Sequence, residues 1–442
     1  MVVGKIVERI RKERGDVIVY SHIDADGLCS AGIFSSVLDR EGIGHEVRFL
    51  KQVEKAPRGG DLTVFLDFGS GQLELLKGLG DVIVIDHHQP QNYLWDGLLH
   101  LNAYDLGIDG SAGISAAGMS YLVGQGFGDN TDLASLAVIG AVGDVQNFWG
   151  KFEERNVEIL EQAVKNGQVK VENDVLLYGR HSRPLFKSLQ YFTDPYVPGV
   201  SNSESGSSSL LKSLGIRMRH GLGFRTMAEL SFGERQKLGN ELIKRALGAA
   251  PPRLKKHVPR LIVGETYELL NEKPRTELRD VDEFSTVLNA CGKNGNPELG
   301  FEIAKGNRER EGEMNKFVRK HRQNLARGME KVGDEIFQGR GYQYFDGRGK
   351  VGETLIGTIA SMLLGSEYTD PYKPILGIAG EGTTLKISAR CSRLLVLEGE
   401  NLGLTLRKAA EGVGGIGGGH APAGGAFVPE EKLEEFLSRF GH

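Results

Sequence analysis

The feature that most restricts the fold is a short apolar run ending in one carboxylate and two imidazoles. Residues 82–85 read Val-Ile-Val-Ile, and Asp86, His87 and His88 follow directly. A continuous β-branched run of this length predicts a strand buried on both faces, as in a parallel sheet. The three polar side chains would then lie at the carboxyl end of that strand. A motif this short occurs by chance too often to establish a function alone.

The N-terminal third of the chain alternates between β-rich and helical patterns. Strands are predicted at 16–20, 45–50, 62–66 and 82–85, and helices at 27–40, 72–79, 111–123 and 133–142. This alternation predicts an α/β fold in which a mainly parallel sheet is flanked by helices. Ligands of such sheets bind outside the carboxyl ends of the strands.

Further carboxylates occupy the ends of other predicted elements. Residues 22–27 read His-Ile-Asp-Ala-Asp-Gly, Asp67 follows the third strand, and Asp144 follows a helix. Taken singly, Asp24 or Asp144 is better explained as a helix cap. Taken together, the clusters predict a dinuclear metal site, because so many carboxylates without cations would repel one another by several kcal/mol. Mixed carboxylate and imidazole ligands suit Mn²⁺ or Mg²⁺ better than structural zinc.

Composition narrows the class of protein. Of the 442 residues, 40% are hydrophobic and 25% charged, as in soluble globular proteins. No apolar run reaches the length of a membrane span and the N-terminus lacks a signal-peptide pattern, so we expect a cytoplasmic protein without a membrane partner. Cys29, Cys291 and Cys391 are scattered, which favours neither disulfides nor zinc. A net charge of -4 argues against indiscriminate coating of nucleic acid but leaves room for a local basic channel.

Three domains are predicted along the chain. They are a catalytic α/β domain at 1–231, a helical or α+β middle region at 232–340 and a second α/β domain at 341–442, with the active-site cleft between the two main domains. A long charged helix is expected at 308–338. Residues 196–209 have the composition of a loop, either a flexible tether or an ordered loop that lines the site.

The C-terminal domain carries a second functional signal. Residues 386–390 read Lys-Ile-Ser-Ala-Arg and place Ser388 and Arg390 on one face of a predicted strand, where the arginine could bind a phosphate. Residues 414–425 are rich in glycine, so the backbone of Gly418 and Gly419 could approach a phosphate closely beside His420. The alternative is a mobile glycine turn, which composition alone favours in a chain with 62 glycines.

With these motifs in order, the chain resembles the DHH phosphoesterase superfamily, in the subfamily with a DHHA1 domain, and most closely the archaeal RecJ-like nucleases of the GINS-associated type. The resemblance implies that His22, Asp24 and Asp67 hold one metal ion. It assigns the second ion to Asp26, Asp67, His87 and Asp144, so that Asp67 bridges. His88 would face the scissile phosphate, Asp86 would orient the imidazoles, and the substrate-binding residues would be Ser388, Arg390, Gly418, Gly419 and His420. Two further stretches, 194–199 and 277–292, are similar to the archaeal group, and the first of them favours an ordered loop after residue 194.

The resemblance implies a metal-dependent exonuclease for single-stranded nucleic acid that works in DNA replication or repair with two divalent cations, Mn²⁺ preferred and Mg²⁺ acceptable. The family suggests 5′-to-3′ action on DNA, with RNA as a further substrate; the sequence leaves polarity open. One alternative is a phosphodiesterase for short oligonucleotides, 3′-phosphoadenosine phosphate or cyclic dinucleotides. Another is a replication scaffold that binds the GINS complex and the replicative helicase, although an intact ligand set argues against a purely structural role.

Overall fold

The computed structural model describes residues 2–333, 335–366, 368–380 and 382–441. The chain divides into two compact units, each built from two separate segments. Unit 1 comprises residues 1–172 and 265–319, and unit 2 comprises residues 173–264 and 320–442. The predicted middle region at 232–340 therefore contributes to both units, whereas the domain boundaries predicted at 231 and 340 stay predictions.

The strands of the described residues are numbered in chain order. They are β1 (Val17–His22), β2 (His45–Leu50), β3 (Leu62–Leu66), β4 (Val82–Asp86), β5 (Leu98–Asn102), β6 (Val169–Val175), β7 (Arg219–His220), β8 (Gly223–Phe224), β9 (Val263–Leu269), β10 (Phe337–Gln338), β11 (Gln343–Asp346), β12 (Ile375–Ala379), β13 (Thr384–Arg390), β14 (Ile416–His420) and β15 (Ala423–Pro429).

The α-helices are numbered in the same way. They are α1 (Val2–Lys12), α2 (Ala25–Arg40), α3 (Leu73–Leu76), α4 (Ala116–Gln125), α5 (Ala134–Gly143), α6 (Glu154–Lys165), α7 (Leu185–Gln190), α8 (Glu204–Ser213), α9 (Phe232–Ala249), α10 (Val258–Ile262), α11 (Val281–Lys293), α12 (Pro297–Ala304), α13 (Glu311–Val332), α14 (Ile356–Leu363), α15 (Arg393–Val396), α16 (Leu402–Glu411) and α17 (Leu433–Phe440).

Unit 1 is built on a parallel sheet with the strand order β2-β1-β3-β4-β5. Alternate residues of β1 enter different cores: Val17 and Val19 pack with α2, α4 and α5, whereas Ile18 and Tyr20 pack with Phe65 on the opposite face. Burial on both faces explains why β3 and β4 read as continuous apolar runs. The predicted α/β class is confirmed.

Unit 2 contains a mixed sheet with the order β10-β11-β12-β13-β15-β14. Only β11 and β12 pair in parallel among its described strands. One face of β13 and β15 is buried against α16 and α17, and β12 also packs against α14 on the other face. This is the second α/β layer that the sequence predicts after residue 341.

Most predicted elements of the N-terminal third occur within a few residues of their expected bounds. One strand was not predicted, and the structure also bears on two later segments whose interpretation the sequence left open. Strand β5 was not predicted, because its Leu-Leu-His-Leu-Asn sequence is short and interrupted by a polar residue. The glycine-rich run is neither loop nor mobile turn: it forms the paired strands β14 and β15. Residues 196–209 are ordered and run into α8. Within the described ranges, no helix has the length and hydropathy needed to cross a bilayer.

Candidate metal centre

Three adjacent strands of unit 1 end at one place. His22 is the last residue of β1, Asp67 follows β3 directly, and Asp86 is the last residue of β4. Because β1, β3 and β4 are parallel neighbours, their carboxyl ends meet at the same edge of the sheet. The topology therefore brings together side chains that lie far apart in the sequence.

The first group of side chains surrounds His22. Its Nδ1 lies 2.8 Å from Oδ2 of Asp24 and 3.3 Å from Oδ2 of Asp67. The other oxygen of Asp24 accepts a hydrogen bond from the backbone N–H of Gly27 at 3.0 Å, which caps α2. The helix-cap interpretation of Asp24 is correct, and the same carboxylate also faces the imidazole.

The second group surrounds His87, which is buried. Its Nε2 lies 3.0 Å from Oδ2 of Asp144, 3.3 Å from Oδ1 of Asp67 and 3.8 Å from Oδ2 of Asp26. Asp67 thus belongs to both groups and turns a different oxygen towards each. The six residues predicted as metal ligands all lie in these two groups.

A hydrogen bond sets the orientation of the His87 ring. Its Nδ1 lies 2.6 Å from the carbonyl oxygen of Gly110, and since a carbonyl only accepts, Nδ1 must donate. In the neutral ring Nε2 then carries a lone pair directed at the carboxylates, which is the usual arrangement for a metal-binding histidine. Gly110 allows this approach, because a Cβ there would overlap the backbone carbonyl of His87.

Four buried atoms of these groups have no hydrogen-bond partner: Nδ1 of His22, Nε2 of His87 and both side-chain oxygens of Asp67. Buried polar atoms without partners are rare in native proteins. The contacts of 2.8 to 3.3 Å lack hydrogen-bond geometry, but they match two ligands of one cation, whose atoms at about 2.1 Å from an octahedral ion lie about 3 Å apart. The residues present therefore fit two divalent cations that share Asp67.

The pKa shifts within the cluster also favour binding of divalent cations. Burial together with the neighbouring carboxylates of Asp67 and Asp144 raises the pKa of Asp26 well above its usual value. Burial and the nearby Asp24 likewise raise the pKa of Asp67. Burial alone would lower the pKa of the His87 imidazole, but Asp144 and Asp67 raise it well above its usual value. Cations would relieve this repulsion by replacing the protons.

The backbone around Asp26 shows how the helices support the site. Its two side-chain oxygens accept hydrogen bonds from the N–H groups of Ala116 and Ala117 at 2.7 and 3.0 Å, at the start of α4. Gly140 of α5 leaves the space for this carboxylate, since a Cβ there would overlap its Oδ1. The glycine before Asp144, Gly143, similarly avoids the side chain of Ala25 in α2. The glycines of that motif allow α2 and α5 to pack closely.

Two residues of the centre have an unusual backbone conformation. Asp67 has a φ of 66° and Val145, directly after Asp144, has a φ of 57°. A left-handed conformation is uncommon for aspartate and strained for a β-branched residue. Such strain is concentrated at functional sites. Here one strained residue is Asp67, which the two groups share, and the other directly follows Asp144, a member of the second group.

In unit 2, the strand register shows which predicted substrate-binding residues share a face. Ser388 pairs with Gly425, which pairs with Gly418; Arg390 pairs with Ala423, which pairs with His420. Directly paired residues of antiparallel strands project to the same side, so four of the five predicted residues are brought together. Gly419 belongs to the opposite face, where a Cβ would overlap the backbone of its partner on β15.

Arg390 is the charged centre of this face. Its Nη1 donates to the carbonyl oxygens of Ala389 and Gly424, and within the described ranges no carboxylate is bonded to it. Burial lowers its pKa to about 10. Gly357, in the first turn of α14, allows the guanidinium to sit there, because a Cβ would collide with it. A half-buried guanidinium without an acidic partner in the described ranges is an arrangement suited to an anion.

Sequence models of known families match three parts of the chain. The DHH family N-terminal domain matches residues 16–141, the DHH-CID domain residues 177–262 and the DHHA1 domain residues 344–442. An uncharacterized protein of Methanocaldococcus jannaschii, MJ0831, is 31% identical over 99% of this chain and 95% of its own length. The chain belongs to the DHH/DHHA1 superfamily.

Solved structures agree with this assignment at the level of the fold. CDC45 from Entamoeba histolytica superposes with a TM-score of 0.62 at 13% identity, covering 99% of this chain and 98% of that one. RecJ from Thermus thermophilus, solved with Mn²⁺, superposes with a TM-score of 0.59 at 16% identity, covering 99% of this chain and 53% of that one. The DHH/DHHA1 chain therefore has the fold of a metal-dependent phosphoesterase, and the family assignment from the sequence is confirmed.

The DHH domain also contains a hydrogen-bond network that sequence reasoning missed. Oδ1 of Asp86 accepts from Nδ1 of His88 at 2.8 Å, and Oδ2 accepts from the N–H of Ser70 at 2.9 Å. The Ser70 hydroxyl contacts Nε2 of His100 at 2.8 Å and accepts from Asn102 at 2.9 Å. Both His100 and Asn102 belong to the unpredicted β5. Both oxygens of Asp86 are occupied, so it orients His88 although it also lies near His87 and Asp67.

A second missed support comes from α11, within the stretch 277–292 that is similar to the archaeal group. Oδ1 of Asn289 accepts a hydrogen bond from the N–H of Ala25 at 3.2 Å. Gly292 approaches the same loop so closely that a Cβ would overlap the carbonyl oxygen of Ile23. Both contacts touch the segment between His22 and Asp26. That sequence stretch therefore packs against the first motif and supports it. Only the folded structure shows this role.

Proposed function

We propose that this DHH/DHHA1 protein is a metal-dependent exonuclease that hydrolyses phosphodiester bonds of single-stranded nucleic acid. The observation that carries the proposal is the pair of ligand groups joined by Asp67, whose two buried oxygens lack hydrogen bonds. One ion would bind to His22, Asp24 and Asp67. The other would bind to Asp67 and to Asp26, His87 and Asp144.

Two divalent cations held here would polarise a phosphoryl group and make a water nucleophilic at neutral pH. The protein's own contribution begins with rigid ligand orientation: the N–H groups of α4 hold Asp26, and the Gly110 carbonyl holds His87. Both contacts reduce the reorganisation needed when charge develops on the phosphate. The same ligands suit Mn²⁺ and Mg²⁺, and we propose Mn²⁺ as the preferred ion.

His88 would contact the scissile phosphate. It lies in a cluster with Asp67, Asp86 and His87, but Asp86 holds its Nδ1, and its side chain is 45% exposed, in contrast to the buried His87. Because Asp86 accepts from Nδ1, Nε2 is the atom available to a substrate. Asp86 raises the pKa of this imidazole against the effect of burial and the nearby His87. A protonated His88 could stabilise the phosphate or give its proton to the leaving oxygen.

The substrate is proposed to be a polymer, for two reasons. Unit 2 adds the DHH-CID and DHHA1 segments to the catalytic unit, and its Arg390 offers an anion site separate from the metal ligands. The structure with Mn²⁺ that has the same fold is that of RecJ. We propose 5′-to-3′ action on single-stranded DNA in replication or repair, with RNA as a further substrate. A phosphodiesterase for short oligonucleotides, 3′-phosphoadenosine phosphate or cyclic dinucleotides is the enzymatic alternative.

A replication scaffold is a second candidate function. The specific observation in its favour is the superposition on CDC45, which covers nearly all of both chains. Such a scaffold would bind GINS and associate with the replicative helicase, and it could still cut nucleic acid. All six proposed metal ligands are present and grouped, which favours an enzyme.

The deciding experiment is cleavage of DNA and RNA single strands labelled at either end, in Mn²⁺ and in Mg²⁺. We expect mononucleotides from one end of long strands and weak turnover of duplexes. A length series from two to forty nucleotides, in matched molar amounts, separates the polymer from the small-substrate alternative. Turnover that collapses beyond a few nucleotides would overturn the exonuclease, and complete absence of cleavage together with capture of purified GINS would establish the scaffold.

A further inference from the structure

One row of the DHHA1 sheet is not part of the predicted phosphate site. Lys386 pairs with Phe427, and Phe427 pairs with Ile416. The row lies on the same face as Ser388 and Arg390, because residues two and four apart on a strand share a face. It is separated from the Ser388 row by two residues, or about 6.8 Å along the strand.

Two of the three side chains in this row are apolar, although they face solvent. Phe427 is 43% exposed and Ile416 is 77% exposed. The opposite face of the same strands is closed by α16 and α17 and buries Ala426, Val428 and Ile387. The two neighbouring side chains form a small exposed apolar patch, a feature that can mark a ligand-binding surface.

The charges next to the row indicate the chemistry of that ligand. The Lys386 ammonium lies 4.1 Å from the centroid of the Phe427 ring, and no carboxylate in the described part of the chain forms an ion pair with it. Arg390, on the same strand face beyond Ser388, also lacks an acidic partner there. An anionic ligand with a flat apolar portion matches two unpaired cations beside an exposed ring.

Between the two ends of the face, the floor is made of small residues. Gly425 and Gly418 lie between the Phe427 row and the Arg390 row, and Ala423 belongs to the Arg390 row. A ligand can therefore approach the backbone of Gly418 closely. Over Gly425 it would meet the Lys386 ammonium, which lies 2.9 Å from the position of a Cβ there.

We propose that Phe427, supported by Ile416, is a nucleobase-stacking site, and that Lys386 and Arg390 bind the phosphates on either side of the stacked nucleotide. This inference rests on the proposed function, because a base-stacking site requires that the substrate is a nucleic acid. Stacking on an aromatic face tolerates any base, so the site would select for single strands and not for sequence.

The test measures binding without cleavage. Fluorescence anisotropy in EDTA compares an eight-nucleotide deoxyadenosine strand with a strand of the same length and charge in which every base is absent. We expect the wild-type chain to bind the abasic strand about tenfold more weakly, which is the loss of one stacked base. Phe427→Ala should bind the natural strand about tenfold more weakly than the wild type does. Its affinity for the abasic strand should equal that of the wild type. Phe427→Trp should retain the preference for bases.

The matched control is Phe337→Ala, which removes an aromatic side chain of similar exposure (47%) from β10 of the same sheet. It should leave both affinities unchanged. Thermal melts check that each variant is folded, and the wild-type comparison needs no variant. Equal affinity of the wild-type chain for both strands would overturn the stacking site, as would equal losses on both strands in Phe427→Ala. Capture of a protein or of a second copy by this face, with no base preference, has the same consequence.

The two proposals fail separately. If the chain prefers the natural strand but cuts nothing in Mn²⁺ or Mg²⁺, the exonuclease is wrong and the stacking site stands. If it cuts normally and shows no preference for bases, only the stacking site is wrong.

Discussion

Nδ1 of His22 lies 2.8 Å from Oδ2 of Asp24, yet the two atoms form no hydrogen bond. Both residues lie in one cluster with Asp67, and similar short contacts occur around His87. Short contacts of this kind without a hydrogen bond fit two ligands of one divalent cation.

Asp67→Asn should abolish hydrolysis while the protein stays folded. The amide keeps the shape of the carboxylate but cannot bridge two cations, and it removes one negative charge from a crowded buried cluster. We therefore expect a melting temperature in EDTA at or above that of the wild type, and no further rise on addition of Mn²⁺. Scanning calorimetry with and without Mn²⁺ measures both.

The control for this variant is Asp96→Asn, which neutralises an exposed carboxylate of the same unit. This variant should keep its activity, and its melting temperature should still rise on addition of Mn²⁺. An undiminished rise in Asp67→Asn would disprove the shared ligand.

The stability of the metal-free protein should fall as pH rises. His22 and His87 have a pKa above the usual 6.5, so the stability they contribute is complete below pH 6.5 and is lost as pH rises through the raised value. Asp26 and Asp67 act in the same direction above 3.8, because the folded state retains their protons longer than the unfolded state.

Saturating Mn²⁺ should reverse this dependence, since the ion requires the deprotonated ligands. Urea unfolding from pH 5 to 9, in EDTA and in Mn²⁺, gives the two slopes. Parallel slopes in the two buffers would contradict the ligand assignment.

His88→Ala should lower kcat about 100-fold or more, the usual loss for a group that transfers a proton or stabilises the reacting phosphate. His88 also lies in a cluster with Asp67, Asp86 and His87, but Asp86 holds its Nδ1, so we expect binding of Mn²⁺ to be largely unchanged. The measurements are single-turnover cleavage and the Mn²⁺-dependent melting shift. His257→Ala is the matched control, and a loss of the melting shift in His88→Ala would make this residue a metal ligand instead.

Gly292→Ala should destabilise unit 1 by about 1–3 kcal/mol, the usual cost of overpacking. The added methyl group would overlap the carbonyl oxygen of Ile23 and push the loop that carries His22 and Asp24. Denaturant unfolding measures the free energy, and Mn²⁺ titration measures the accompanying loss of affinity. Gly312→Ala, also in a helix but with open space at its Cβ position, should be neutral or slightly stabilising.

Arg390→Met should raise the melting temperature in the absence of substrate and weaken binding of single strands about 10- to 100-fold. The first effect follows because the half-buried guanidinium has no acidic partner in the described part of the chain, and the second because charged hydrogen bonds to a phosphate are lost. Anisotropy and calorimetry measure the two effects. Lys408→Met, which removes an exposed cation of α16, should change neither.

The sequence alone predicted much of the metal centre, because several of its functional side chains lie at the ends of strands that the sequence predicts. An apolar β-branched run must be buried, and parallel strands must present their carboxyl ends together. His22, Asp67 and Asp86 could therefore be assigned to one edge without coordinates. The same reasoning placed Ser388 and Arg390 on one face of a strand, which the register confirms.

Other features depended on contacts that no local pattern records. Glycines carry no β propensity, so only pairing with β13 shows that the run 416–429 is a hairpin. Asn289 and Gly292 act on a loop that is close to them only in the folded chain. For the same reason, the sequence did not predict that each unit is built from two separate segments of the chain. Periodicity reports which side of an element is buried, whereas the identity of the partner is decided by long-range packing.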